Sequence, residues 1–472
     1  MINDKEQLFE DNDLQAVMNK YQDMLEKKKL YFFDVHEFES IIDFYANGFN
    51  LNKASEAVNY AIQQHPSASS IKLKKAQILI DKGDVENGLE YLGEIEGIES
   101  SNYEFYVLKG NAFAIKGDID QALNFYKFAV SIALEEQADV CYNIAVSLEH
   151  LCFFEEASSF LEKALELEPD NTTYLYDLAY CLEQTSNLDK CIKVYKNYLD
   201  LDPFSEHVWH SLGMVYSKMD KFDDAVEAYE FALAIDENYA TAHFNLANSL
   251  ANSGKFYEAI EQYLEFSRIE PDNIFANYYL GECYEQIKEP LMAKDYYARA
   301  IEIDKDFADA WYAYGCLLRS ENNLKESIPY FQKAAELDKD NLEYNFSLGA
   351  ICKDLRHYDI AEKSFQKIVQ EDPFDDDSWL LYSEIYAEQN DFVAAIDVIH
   401  QALKQNPTNS LLNYRLAAYY WILRNRSDSY YYFEKGLQHN VNECSTFFEY
   451  LPSTKSNSKI NKLIRKYHKK TL

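Results

Sequence analysis

Glycine and proline are scarce in this chain, with 13 Gly and 9 Pro among 472 residues. No Ser-, Gly- or Pro-rich stretch interrupts it, so nothing reads as a flexible linker between separate domains. A chain of this length without an interior boundary is an unusually large globule or a repeat array. Long apolar runs are also missing, which argues against a transmembrane helix and against membrane insertion. Residues 1–13 are acidic and polar, so no signal peptide is expected.

Basic residues are the weak side of the charge balance, 45 Lys and Arg against 80 Asp and Glu, a net charge of −35. Such a field repels nucleic acid and anionic lipid, and neither is expected as a partner. The eight cysteines lie far apart, with no C-x-x-C pair. Cys141, Cys181, Cys191, Cys283, Cys316 and Cys352 fall inside helical patterns, where Cys is a small apolar residue. A reducing cytoplasm fits this usage better than a disulfide or zinc framework.

Catalytic signatures are absent as well. There is no phosphate-binding glycine loop, no nucleophile elbow and no H-E-x-x-H. His207, His210 and His243 come near one another in the pattern, but no Cys or carboxylate stands at ligand spacing beside them. They read as surface or packing histidines. No catalytic residue, metal site or cofactor is expected, and the chain is read as not an enzyme.

What is present is a period. Pro169 and Pro203, and Pro373 and Pro407, are 34 residues apart, and Pro203 and Pro271 twice that. With these prolines at slot 32 of a 34-residue unit, repeats start at Val35, Ser69, Tyr103, Ala138, Thr172, Glu206, Ala240, Ile274, Ala308, Leu342, Asp376 and Ser410. One extra residue near Gln137 is the sole slip. Slot 20 is small in all twelve units, as at Ala54, Gly88, Ala225 and Ser429. Slot 8 is Gly or Ala in ten, including Gly110, Gly213, Gly281, Gly315 and Gly349. Slot 24 is mostly aromatic, as at Tyr126, Tyr195, Tyr229, Tyr263, Tyr297, Phe331, Phe365 and Phe433. Slots 4, 7, 8 and 11 share one face of a first helix, and slots 20, 24 and 27 one face of a second. Small residues let the two helices approach, and large ones fill the space around that contact. Gly83, Gly117 and Gly254 at slot 15 predict left-handed helix caps between them.

Residues 206–239 carry Trp209, Leu212, Gly213, Tyr216, Ala225, Tyr229 and Ala232, and this pattern resembles the tetratricopeptide repeat. The resemblance runs over residues 35–443, twelve units in register. Units one and two match it less well, and in unit two Lys75 stands where an apolar residue is usual and Gly88 replaces Ala. Residues 1–34 are expected to supply an N-terminal capping helix, through Leu14, Val17, Met18, Tyr21 and Leu25. Residues 444–472 read as a degenerate repeat, with Ile460, Leu463, Ile464 and Tyr467 on one face. Residues 455–470 hold seven Lys or Arg and no acid. That basic helix has two readings, a cap with a solvated back or a binder of an acidic segment.

The resemblance implies an all-α, right-handed superhelical solenoid whose first helices line a concave groove through slots 2, 5, 9, 12 and 13. Across those sixty positions there are fifteen acids and three bases, Lys218, Arg319 and Lys353. Slot 5 runs Tyr142, Tyr176, His210, Phe244, Tyr278, Tyr312, Phe346, Leu380 and Tyr414, an aromatic ladder that serves either packing or recognition. Candidate groove residues are Tyr142, Glu149, Tyr176, Tyr180, Glu183, His210, Phe244, Asn248, Tyr278, Glu282, Glu285, Asp309, Tyr312 and Phe346. The expected partner is a protein or peptide segment bearing Lys, Arg and apolar residues. Some relatives clamp a chaperone's C-terminal carboxylate with Lys at slot 5 and Asn at slot 9; here Val107 and Phe244 replace the Lys, so no such clamp is expected. The sequence thus points to a scaffold or adaptor, with a receptor for a short peptide signal as the alternative.

Overall fold

The computed structural model describes residues 3–468, with side chains from 14 to 468. Twenty-seven α-helices and three short 3-10 turns follow one another, with no strand among the described residues. The chain forms two compact units, Met1–Glu237 and Asn238–Leu472. The first holds the helix Asn3–Lys27 and six helix pairs, from Val35–Asn47 with Leu51–Gln64 to Glu206–Lys218 with Phe222–Ile235. The second holds six more pairs, from Ala240–Asn252 with Phe256–Ile269 to Ser410–Ile422 with Arg426–His439, and the helices Ser445–Tyr450 and Ser458–His468. Each unit is an all-α helical-repeat solenoid.

Eleven of the twelve first helices begin at the residue given by the 34-residue register; the fourth, Gln137–His150, begins one residue early. The extra residue is taken up just before it, where Leu134 adopts φ 47° and a 3-10 turn covers Leu134–Glu136. Helix starts carry an Asn or Asp cap at slot 34 in several repeats: Asn273 Oδ1 accepts from the Ala276 N–H at 3.1 Å and Asn409 Oδ1 from the Leu412 N–H at 2.8 Å. Trp at slot 4 ties consecutive repeats. The Nε1–H groups of Trp209, Trp311 and Trp379 donate to the carbonyls of Pro203, Lys305 and Pro373 at 2.9, 3.0 and 3.0 Å.

In several pairs a glycine at slot 8 permits backbone-to-ring contact. A Cβ placed on Gly110, Gly213 or Gly281 would lie 2.3–2.6 Å from the ring of Tyr126, Tyr229 or Tyr297, the slot-24 residue of the same repeat. The atypical Gly88 follows the same logic, because its missing Cβ would stand 2.7 Å from Ile80 Cγ1. Lys75 is half-buried, and its Nζ donates to Asn59 Oδ1 at 2.7 Å. The second repeat therefore absorbs both departures without losing its helices.

Between the two helices of a pair, slot 15 is left-handed in all twelve repeats. Three positions are the expected glycines, Gly83, Gly117 and Gly254. The other nine are Phe49, Cys152, Ser186, Asp220, Lys288, Asn322, Arg356, Asn390 and Arg424, at φ from 55° to 65°. The turn geometry is thus adopted even by residues that resist it, such as Phe49, Lys288 and Arg356, while Asp220, Asn322 and Asn390 tolerate it.

At the N-terminal end, Met18, Tyr21 and Met24 are buried with Phe33, Phe38, Ile41 and Ile42. At the other end, Ile460 is buried and Leu463, Ile464 and Tyr467 pack against a cluster containing Phe433 and Phe447. Two of the basic side chains there are engaged: Lys466 Nζ lies 2.7 Å from Glu434 Oε1, and Lys459 Nζ lies 3.9 Å from the Tyr430 ring centre. Lys469 and Lys470 fall outside the described residues.

Candidate functional site

The slot-5 rings are held from behind. Tyr176, His210, Phe244, Tyr278, Tyr312, Phe346 and Tyr414 each pack on the slot-24 ring of their own repeat, with centroids 5.5–6.4 Å apart. Tyr142 has Leu161 at slot 24 and turns instead to Tyr174 of the next repeat, at 5.0 Å. His210 and Tyr414 are buried outright. The ladder is therefore part of the packing, and what it offers at the surface is ring edges and hydroxyls.

The candidate carboxylates sort by partner. In the first unit, Glu183 pairs with Lys218 at 2.5 Å, so this acid and one of the three groove bases cancel. Burial raises the Glu149 carboxyl, and the Cys181 thiol donates to it at 3.2 Å. In the second unit, Asp309 accepts from the Tyr344 hydroxyl. Lys353 reaches Glu384 and Glu388 at 3.1 and 3.4 Å, which removes a second groove base. The third, Arg319, is exposed, with its guanidinium 5.5 Å from the centre of the Phe331 ring. Asn248 is occupied too, accepting from the Tyr263 hydroxyl at 2.5 Å.

Among the described residues Glu149 and Asp309 thus have hydrogen-bond donors but no cation, and the last two candidate acids, Glu282 and Glu285, lack one as well. Glu282 Oε1 accepts from the Tyr278 hydroxyl at 2.8 Å, and Glu285 Oε2 from the Tyr297 hydroxyl at 3.1 Å. Neither forms an ion pair among the described residues. Burial pushes the Glu282 carboxyl up, the Tyr278 hydrogen bond opposes this, and the charges of Glu285 and Asp309 add to the rise. Burial raises the Tyr278 and Tyr297 phenols far above the ordinary range, so both stay protonated donors.

These residues wall a cleft of about 530 Å³ in the second unit. It spans the three repeats that start at Ala240, Ile274 and Ala308, and is lined by Tyr278, Tyr279, Glu282, Glu285, Tyr312, Tyr263 and Tyr297, with Ala251, Asn252, Phe256, Cys283, Gln286, Ala313 and Cys316. The cleft gathers four of the residues expected from the sequence: Tyr278, Glu282, Glu285 and Tyr312. Phe244, Asn248, Asp309 and Phe346 lie in the same unit but outside its wall. Tyr142, Glu149, Tyr176, Tyr180, Glu183 and His210 belong to the first unit. Tyr279, absent from the expected set, stacks on Tyr263 at 5.9 Å and 13°. Its signal was legible: a large ring at slot 6, where neighbouring repeats carry Asn245 and Ala313. Cys283 at the same wall is pushed by burial to about 12 and is no nucleophile at neutral pH.

Two larger or comparable clefts lack that combination. One of about 1270 Å³ borders the first repeat, but Glu37 there pairs with Lys20 and Asp43 with Lys74, each at 2.8 Å or less. Another, of about 410 Å³, is lined by Gln77, Asn111, Asn143 and Ser147 and by few charges. No group of three His, Cys, Asp or Glu among the described residues is arranged to hold a metal ion. No described helix is long and apolar enough to cross a membrane.

Family models described as tetratricopeptide repeat match residues 110–135, 153–214, 208–239, 240–273, 276–307, 308–341 and 353–410. No curated protein matches the chain. Among solved structures, YrrB, described as a TPR protein with an unusual peptide-binding site, is 24% identical over 39% of this chain and 94% of its own, with TM-score 0.34. PilF of Pseudomonas aeruginosa is 22% identical over 45% of this chain and 96% of its own, with TM-score 0.38. The Cut9–Hcn1 hetero-tetramer of APC/C is 15% identical over 87% of this chain and 94% of the matched one, with TM-score 0.35.

Proposed function

The chain belongs to the tetratricopeptide-repeat family, whose members are protein-interaction scaffolds, and from that premise we propose that its second unit binds a basic, partly apolar protein segment at the cleft between Tyr278 and Tyr312. One observation carries this reading. Glu282 and Glu285 stand in an aromatic cleft without a cation, while Glu183 and Glu384, elsewhere on first helices, are already paired with lysine or arginine. Unpaired carboxylates in a half-dry site attract a complementary charge and select against an acidic partner. In this reading the role is non-catalytic, and the helices Asn3–Lys27 and Ser458–His468 cap the apolar ends.

The test is cross-linking and mass spectrometry of partners held by the full chain and by Glu282→Gln/Glu285→Gln. Loss of one basic segment from the double variant, with helicity unchanged, is the expected result. Retention of every partner by the double variant overturns the reading. Tyr278→Ala and Tyr312→Ala are poor probes. Both rings pack within the fold, Tyr312 against Phe331 and Tyr344 at 5.5 and 4.6 Å, so their loss mixes stability with binding.

A further inference from the structure

Slot 9 carries a carboxylate in three repeats: Asp43, Glu282 and Glu384. In two of them the next repeat supplies a base from its slot 6. Lys74 Nζ lies 2.7 Å from Asp43 Oδ1, and the Arg415 guanidinium donates to Glu384 Oε1. Both pairs are 31 residues apart, so the same helix-to-helix placement produces both. Glu384 receives a second cation, Lys353, from slot 12 of the repeat before it. At Glu282 both of these positions are alanine. Ala313 stands at slot 6 of the following repeat and Ala251 at slot 12 of the preceding one. Both line the cleft. The space that the chain's own bases occupy around Glu384 is therefore open around Glu282.

We propose that the cleft receives one arginine side chain of a bound protein, seated where Arg415 sits in the filled site, with its guanidinium on Glu282 and Glu285. This rests on reading the cleft as a protein-binding surface, and it assigns the residue that enters. Arginine is favoured over lysine on three grounds. First, the exposed pair uses lysine: side-chain exposures are 27% for Lys74 and 42% for Asp43. The enclosed slot-6 pair uses arginine, at 19% for Arg415 and 22% for Glu384, while the lysine that shares Glu384, Lys353 at 12%, comes from slot 12. Glu282 is half-buried, like Glu384. Second, Tyr278, Tyr279 and Tyr312 give flat walls, and a weakly hydrated guanidinium stacks on rings as Arg415 does on Tyr450, at 4.6 Å. Third, Tyr278 and Tyr297 each hold one oxygen of Glu282 and Glu285, which fixes two acceptors three residues apart on one helix for a forked donor.

The experiment uses the full chain and the capped tripeptide Gly-Arg-Gly, beside the same peptide with lysine or with citrulline, titrated calorimetrically. The arginine peptide is expected to bind at least about tenfold tighter than either analogue. Glu282→Gln/Glu285→Gln is expected to remove that preference. Ala313→Arg places an internal guanidinium at the Arg415 position. It is expected to abolish peptide binding and to raise the melting temperature. Equal binding of the arginine and lysine peptides, or undiminished binding to a folded Ala313→Arg, overturns the arginine assignment. Partner cross-linking separates the two readings. Partners lost from Glu282→Gln/Glu285→Gln without any arginine preference leave the binding surface standing and overturn the arginine pocket alone. Arginine preference with all partners retained by Ala313→Arg overturns the proposed function alone.

Discussion

Gly281 lies directly under the ring of Tyr297: a Cβ on Gly281 would stand 2.5 Å from both Cδ1 and Cε1. The two helices of the repeat meet there, backbone against ring, and the hydroxyl of the same tyrosine continues to Glu285 on the cleft wall. Packing and site are joined through one side chain.

Gly281→Ala is expected to destabilise the protein by about 1–2 kcal/mol. Forced ring displacement costs about 1–3 kcal/mol, against a helix-propensity gain of up to about 1 kcal/mol. Gly93 sits inside a helix with no atom within 4 Å of its would-be Cβ. Gly93→Ala should therefore stabilise by about 0.5–1 kcal/mol. Urea denaturation of the two variants checks both signs; equal effects would sink the contact argument.

The left-handed turn at slot 15 offers an opposite substitution. Arg356 holds φ 63° and its backbone N–H closes onto the Lys353 carbonyl at 2.9 Å. A side chain in that region costs about 1–2 kcal/mol, partly offset by the greater unfolded entropy of glycine. Arg356→Gly is expected to raise the urea midpoint, with a gain of up to about 1 kcal/mol. Asn390→Gly, at the same φ, should gain less, because asparagine tolerates the conformation.

Two carboxylates at one slot should titrate with opposite consequences. Glu282 is raised by burial, so the folded state holds its proton more firmly than the unfolded chain does. Its charge therefore weakens the fold at neutral pH, and stability returns as pH falls from the raised value towards the ordinary glutamate range. Burial also pushes Glu384 up, but Arg415 and Lys353 overcome it and leave the group lowered. That stability is present above the ordinary range and is lost as pH falls through the lowered value. At pH 7, Glu282→Gln should raise the thermal midpoint and Glu384→Gln should lower it. Below the ordinary range the first difference should vanish.

Partner affinity should fall with salt, because the attraction at the cleft is partly solvent-screened. Between about 0.05 and 0.5 M NaCl a severalfold loss of affinity is expected for the wild type. A much smaller loss is expected for Glu282→Gln/Glu285→Gln. An affinity that stays flat for the wild type would remove charge as the basis of recognition.

The sequence by itself determined the fold, because the repeat is built from contacts between residues sixteen apart in one hairpin, such as Gly281 with Tyr297 and Gly315 with Phe331. A small slot facing a large one is visible in any list of residues read at the right period. The slot-15 turn was only partly visible: three glycines announced it, and nine other residues obey it because the packed helices leave the chain no alternative. Which carboxylates remain free was not visible at all. Counting acids on the groove slots treats Glu282, Glu183 and Glu384 alike, yet Lys218 lies 35 residues beyond Glu183 and Arg415 lies 31 beyond Glu384. Those pairings cross from one repeat to the next, and their existence depends on helix rotation and side-chain reach. Only the tertiary structure decides them, and they leave Glu282 beside two alanines.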